Sequence, residues 1–164
     1  MSGGIRVEPI TREWADALAD GDAEFAARFD VAVEAGWEGF PEAVALLVAA
    51  GRSHRPVAWR PCLFFDTDGA LVGNGGWKGP PVDGAVELGY AVAPSRQRRG
   101  IATAAVRELI DRARAADVET VLAHTLPHPS PSTTVLERCG FELAGETVDP
   151  DEGPVWRWEL SLRG

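Results

Sequence analysis

The densest chemistry in this chain lies in one stretch, Tyr90-Ala-Val-Ala-Pro-Ser-Arg-Gln-Arg-Arg-Gly-Ile-Ala-Thr103. It opens on the end of an apolar run, crosses a short basic loop and enters a helix-forming run near Gly100. The start of a helix leaves about four backbone N–H groups unpartnered and carries a partial positive charge. A phosphate satisfies both. Gly100 lets an anion reach the backbone, Ala102 is small enough not to block it, and Arg96, Arg98 and Arg99 add charge around the spot. Arg107, Arg112 and Arg114 instead fit a solvated helix face with i,i+4 pairs such as Glu108 with Arg112. Two other phosphate signatures are missing. There is no G-x-x-x-x-G-K-[ST], and no G-x-G-x-x-G follows the first strand.

Other chemistry-bearing residues are fewer. Glu87 sits between Val86 and Leu88, where a carboxylate is out of place. If buried there, its pKa rises and suits it to proton transfer; if it faces solvent, it does nothing special. His124 lies in a similar apolar setting, with packing the plainer role and titration the other. Cys62 and Cys139 are far apart and show no metal-ligand spacing, so they read as reduced structural thiols and no metal site is expected.

The elements that must position these residues follow from periodicity and punctuation. A first strand at 5–10 precedes helical stretches near 12–20, 22–35 and 41–51. Strands follow at 58–66 and 70–77 across the turn Asp66-Thr-Asp-Gly69, and 86–92 comes after a Pro/Gly loop. Residues 100–115 have the apolar spacing of an amphipathic helix, 119–126 is a strand, and 132–138 is a short helix ended by Gly140, with Ser132 available as its N-cap. Strands 141–148 and 155–162 close the chain as an antiparallel pair. The order predicts a mixed α/β sheet with one βαβ crossover in its middle, in a single domain over 1–164.

Composition bounds the function. With 164 residues and 45% apolar content the chain can bury one core. A net charge of −9 repels nucleic-acid phosphates, so no nucleic-acid partner is expected. The basic island is then the mark of a small polyanion. No apolar run nears the roughly 18 residues needed to span a bilayer, and Met1–Ile10 lacks the pattern of a signal peptide, so neither a membrane role nor export is expected and a cytoplasmic setting is the default.

Gln97-Arg-Arg-Gly100-Ile-Ala102 resembles the [QR]-x-x-G-x-[GA] pyrophosphate loop of GNAT acetyltransferases. Val86-Glu-Leu-Gly-Tyr-Ala-Val-Ala-Pro94 is similar to that superfamily's central strand, and Ser132-Thr-Thr-Val-Leu-Glu-Arg-Cys-Gly-Phe141 to its final helix. The resemblance spans about residues 57–162 and is nearest the branch with ribosomal-protein N-terminal acetyltransferases. It implies a mixed sheet of about six to seven strands. Two parallel central strands splay, a bulge in the first frees backbone groups, and acetyl-CoA fills the gap. Tyr90, Ala91 and Val92 would meet the pantetheine. Gln97, Arg98, Arg99, Gly100, Ile101, Ala102 and Thr103 would hold the pyrophosphate. A primary amine of a small molecule or peptide N-terminus would attack the thioester directly, with Glu87 as base and the N–H near Val92 polarising the carbonyl. Many members carry a Tyr as acid where Leu136 stands, so Ser132 takes that expectation along with a place against the cofactor. Pro129 replaces a frequent Asn, leaving His128 or Ser130 to compensate.

The acceptor side is expected to draw on Trp37, Phe40 and Trp77 together with Glu87, and about half of Trp37, Phe40, Trp59, Trp77, Trp156 and Trp158 should touch it. Trp37 and Phe40, in a Gly-containing turn, are expected to form a mobile lid. Overall acidity favours a cationic acceptor. An exposed edge at 155–162 would permit a homodimer. Because of Leu136 and Pro129, a catalytically inactive acyl-CoA-binding sensor is the alternative.

Overall fold

The computed structural model describes residues 5–163. β1 (Arg6–Pro9) leads to α1 (Arg12–Ala19), α2 (Asp22–Phe29) and α3 (Ala43–Arg52). β2 (Cys62–Phe65), β3 (Leu71–Trp77) and β4 (Ala85–Val92) form an antiparallel meander. The crossover α4 (Ile101–Ala115) leads to β5 (Thr120–Thr125), then α5 (Pro131–Arg138), β6 (Glu142–Asp149) and β7 (Gly153–Ser161). The seven strands make one sheet in the order β1-β2-β3-β4-β5-β7-β6. Of these seven strands, β4 and β5 pair in parallel and the other neighbours are antiparallel.

Local chemistry explains the boundaries. Thr11 starts α1 by accepting from the Trp14 amide at 3.1 Å. The second helix stops at Phe29 rather than near residue 35, because Asp30 turns left-handed at φ 53°. The residues after it carry β-branched Val31 and Val33 and run extended, with Val33 bridging Leu71. The strand expected from residue 58 begins at Cys62, since Pro56 and Pro61 bracket a 3₁₀ turn at Val57–Trp59. The last helix is capped by Ser130, not Ser132. The Ser130 hydroxyl accepts from the Thr133 amide while the Thr133 hydroxyl accepts from the Ser130 amide.

Strand alternation divides the interior in two. Cys62, Phe64 and Val72 join Val86, Leu88, Val121 and Trp158 beneath α4 and α5. Leu63, Phe65 and Leu71 turn the other way and meet Phe25, Trp37 and Leu47 beneath α1–α3. Strand β7 lies between β5 and β6, so the open edges belong to β1 and β6. The free edge expected at 155–162 does not exist, because the closing hairpin folds β7 inward against β5. Among the described residues no helix is long and apolar enough to cross a membrane.

Candidate active site

Parallel pairing between β4 and β5 runs from Ala85↔Thr120 to Leu88↔Ala123 and then stops, so Gly89–Val92 diverge from His124 and Thr125. On its other side β4 stays in register with β3 from Leu88 to Val92. The splay therefore needs no bulge in β4, contrary to the expectation. The Ala93 amide donates to Val72 at 2.8 Å, and alternation turns the N–H and C=O groups of Tyr90 and Val92 toward the gap.

A cavity of about 830 Å³ opens on one side of this gap. It is lined by Tyr90, Ala91, Val92, Gln97, Arg98, Gly100, Ile101, Ala102, Thr103 and Ser132. Gly100 stands before α4 at φ 77° with no side-chain cap on the helix, and a Cβ placed there would meet nothing within 4 Å. The first-turn amides of a 15-residue helix thus face open space, which suits a diphosphate. Gln97 Nε2 donates to the Val92 carbonyl at 3.2 Å and ties the loop back to the strand.

Two arginines behave differently from expectation. Arg99 does not line the cavity. Arg96 does, but its guanidinium is ion-paired with buried Asp66 and with Glu34 at 3.3 Å, and Ser95 donates to the same Glu34 at 2.7 Å. Its charge is spent anchoring the loop. Thr134 and Arg138 of α5 also face the cavity. The sequence reading missed them, although Pro131, Thr134, Val135 and Arg138 share one helical face by their spacing. Pro129 and Ser130 line the same wall, with the Ser130 hydroxyl committed to the helix cap, while His128 does not reach it.

A second cavity, of about 510 Å³, lies against the first. Tyr90, Ala91 and Ser132 line both and so mark the junction. The Tyr90 hydroxyl donates to the Ser132 carbonyl at 2.9 Å, bracing α5 against β4 across the gap, and burial pushes its pKa up. Leu136, one turn further on, is wholly buried in the core.

Phe40 and Trp77 line the second cavity, as expected. Trp37 does not, because it is fully buried and its Nε1 donates to Asp22 at 3.2 Å. Asn74 donates to the Trp37 and Glu38 carbonyls at 3.1 and 3.2 Å. The turn's backbone is therefore tied to β3 and Trp37 is no part of a lid, while Phe40 beyond it is half exposed on the cavity. Trp59 packs edge-on against Trp77, while Trp156 packs against Trp158, whose Nε1 donates to Thr125. Two of the six aromatic residues reach the cavity, not half.

Glu87 is held by Lys78 Nζ at 2.7 Å and His124 Nδ1 at 3.0 Å. Burial pushes its pKa up, but the hydrogen bonds from Lys78 and His124, together with the Lys78 charge, outweigh burial and hold the carboxyl below its ordinary value. The raised pKa expected from an apolar strand is thus corrected by neighbours that sequence spacing did not reveal. With its Nδ1–H directed at the carboxylate, His124 keeps Nε2 without a partner among the described residues, and the ring lines the second cavity. Burial raises the Cys62 thiol to about 11 and lifts Cys139 too, so neither is an activated nucleophile. Among the described residues no cluster of three or more His, Cys, Asp or Glu is placed to hold a metal ion.

Known structures share this fold. A ribosomal-protein-S5-alanine acetyltransferase from Vibrio fischeri superposes with a TM-score of 0.68 at 18% identity, over 98% of this chain and 94% of that one. A RimJ from Mycobacterium smegmatis, solved with CoA-disulfide, gives 0.66 at 21% identity over 98% and 83%. A spermidine N-acetyltransferase chimera of the Vibrio cholerae enzyme and hSSAT gives 0.68 at 16% identity over 97% and 96%. At such identities the likeness is one of fold. A sequence comparison with curated proteins finds no match. Residues 5–142 match the acetyltransferase (GNAT) domain, which is most of the chain, and the protein belongs to that family.

Proposed function

We propose that this protein is an N-acetyltransferase that moves an acetyl group from acetyl-CoA to a primary amine of a small molecule or peptide N-terminus. One observation carries the reading: two cavities, one ending at an uncapped helix start and one walled by apolar side chains, meet where β4 and β5 part. The first fits a long diphosphate-bearing ligand, with Gly100 to Thr103 and Arg98 at its pyrophosphate and Tyr90 to Val92 along its pantetheine. Acetyl-CoA supplies an activated acyl group as a thioester.

The chain's residues handle the protons. The acceptor arrives as an ammonium and must lose one before nitrogen can attack. His124 Nε2 takes it, with Glu87 holding Nδ1–H and facing the imidazolium that forms. The gap-facing Val92 amide polarises the carbonyl. As the N–C bond formed and the C–S bond broke, the departing thiolate would take the hydroxyl proton of Ser132, which lines both cavities, and water would return a proton to the serine. Glu87, read from sequence as the base, becomes the group that positions it.

Calorimetric titration with acetyl-CoA tests the cofactor site. Gly100→Glu and Ala102→Glu each place a carboxylate against the diphosphate, and Ala102→Glu does so without the left-handed backbone. Binding to wild type, weakened about a hundredfold or more in both folded variants, is the expected result. No binding to wild type would remove the reading. Binding without thiol release across an amine panel would leave the sensor alternative standing instead.

A further inference from the structure

The second cavity carries a charge pattern that proton transfer does not use. The chain has 25 acidic residues and a net charge of −9, yet none of those acids lines this cavity. Its charged lining is Arg55 and Lys78, with His124 beside them. Lys78 is matched by Glu87 at 2.7 Å. Arg55 is unmatched: its guanidinium makes no hydrogen bond or ion pair among the described residues, although the residue is only partly exposed.

The backbone that carries Arg55 is clamped. Its amide donates to Ser53 Oγ at 3.1 Å, and that hydroxyl donates to the Ala50 carbonyl at 2.7 Å. Its carbonyl accepts from Arg60 Nε at 2.9 Å, and the same guanidinium reaches the Ile10 carbonyl at 3.4 Å. Pro56 fixes the next φ. The remaining wall is largely apolar, with Phe40, Leu46 and Leu47 prominent.

Resting on the transferase reading above, we propose that the acceptor is an amine carrying a carboxylate in the same small molecule, an amino acid with an apolar body, and that Arg55 holds the carboxylate. A guanidinium offers a planar fork that a carboxylate fills with two charge-assisted bonds. A polyamine would set its second ammonium against an uncompensated cation beside an apolar wall, where repulsion is weakly screened. A peptide N-terminus presents a neutral amide at the same place and leaves the guanidinium unmatched. The overall negative charge acts at long range and favours cations, but the cavity itself has the opposite sign.

Thiol release from acetyl-CoA tests this with leucine, leucinamide, isoamylamine and spermidine, and with phenylalanine and phenethylamine as a second pair. The free amino acids should exceed their amides and decarboxylated partners by about tenfold to a hundredfold in kcat/KM. Arg55→Met should bring the ratio towards one, and Arg55→Lys should restore part of it. Equal or better turnover of spermidine, leucinamide or isoamylamine overturns the proposal and leaves the transferase reading intact. So does a ratio unchanged in a folded Arg55→Met. Release from none of these amines, with acetyl-CoA bound, brings down both.

Discussion

The two cavities that meet at Tyr90, Ala91 and Ser132 are built in opposite ways. The larger is made mainly from one continuous strand, loop and helix start, residues 90–103, faced by a single side of α5. Its contribution is backbone: gap-facing amides of β4 and the open first turn of α4. The smaller is made from side chains of α3, the Arg55 loop, β3, β4 and β5, which are far apart in sequence. A site formed by backbone from one segment is insensitive to most side-chain changes and suits a ligand that stays constant. A site formed by scattered side chains can be respecified one residue at a time, and suits the partner that varies.

That contrast is broken most severely at the proton acceptor. His124→Ala should lower kcat by about 10²–10⁴-fold while the calorimetric Kd for acetyl-CoA stays unchanged, because the ring lines only the smaller cavity. Glu87→Ala should follow it in kcat. Glu87→Gln keeps an oxygen able to accept from Nδ1 and should recover part of the loss. If His124→Ala retained kcat while Glu87→Gln lost it, the proton would go to Glu87, as the sequence alone suggested.

The difference in construction also decides what the sequence could reveal. The basic loop, Gly100 and the small residue at 102 sit together in the chain, so the phosphate cradle was legible there. So was the βαβ crossover, though not the inward place of β7 beside β5. Long-range pairings were not. Nothing near Arg96 in sequence indicates that Asp66 and Glu34 will claim its guanidinium. Nothing near Glu87 indicates that His124 will stand 3.0 Å away on a strand reached only after the crossover. Trp37 was misread for a related reason: a Gly-containing turn looks mobile until Asn74, in β3, is seen to hold its carbonyls. Arg55 gave no signal, since an arginine before a proline in a loop is ordinary until the cavity forms around it.

The glycines sharpen the comparison at intermediate cost. Gly39 and Gly100 are both left-handed, at φ 85° and 77°. A Cβ on Gly39 would lie 2.4 Å from Ala91 Cβ, at the junction of the cavities, whereas one on Gly100 meets nothing. Gly100→Ala should cost only the backbone penalty, about 1–2 kcal/mol. Gly39→Ala should add overpacking, for about 2–5 kcal/mol in all, and lower kcat because Ala91 must move. Urea midpoints with a matching activity assay measure both. Equal losses would mean that the clamped turn yields, and would return it to the role of a lid.

The smallest effect concerns acid. Glu87 is held below its ordinary value by Lys78 and His124 against the opposing push of burial. Asp149 is lowered by the amides of Glu152 and Asp151, and Glu34 by the Ser95 hydroxyl and then Arg96. For each, the unfolded chain takes up a proton first as pH falls. Their stabilisation is therefore complete above the ordinary carboxylate range and is lost as pH drops through the lower folded values. Glu87→Gln should flatten part of that fall, by under about 1 kcal/mol after solvent screening, leaving the Asp149 and Glu34 portions. Thermal midpoints between neutral pH and the acid limit measure it. A variant as acid-sensitive as wild type would mean that burial balances the two hydrogen bonds. Glu87 would then be protonatable near its ordinary pKa, and the case for His124 as the proton acceptor would rest on geometry alone.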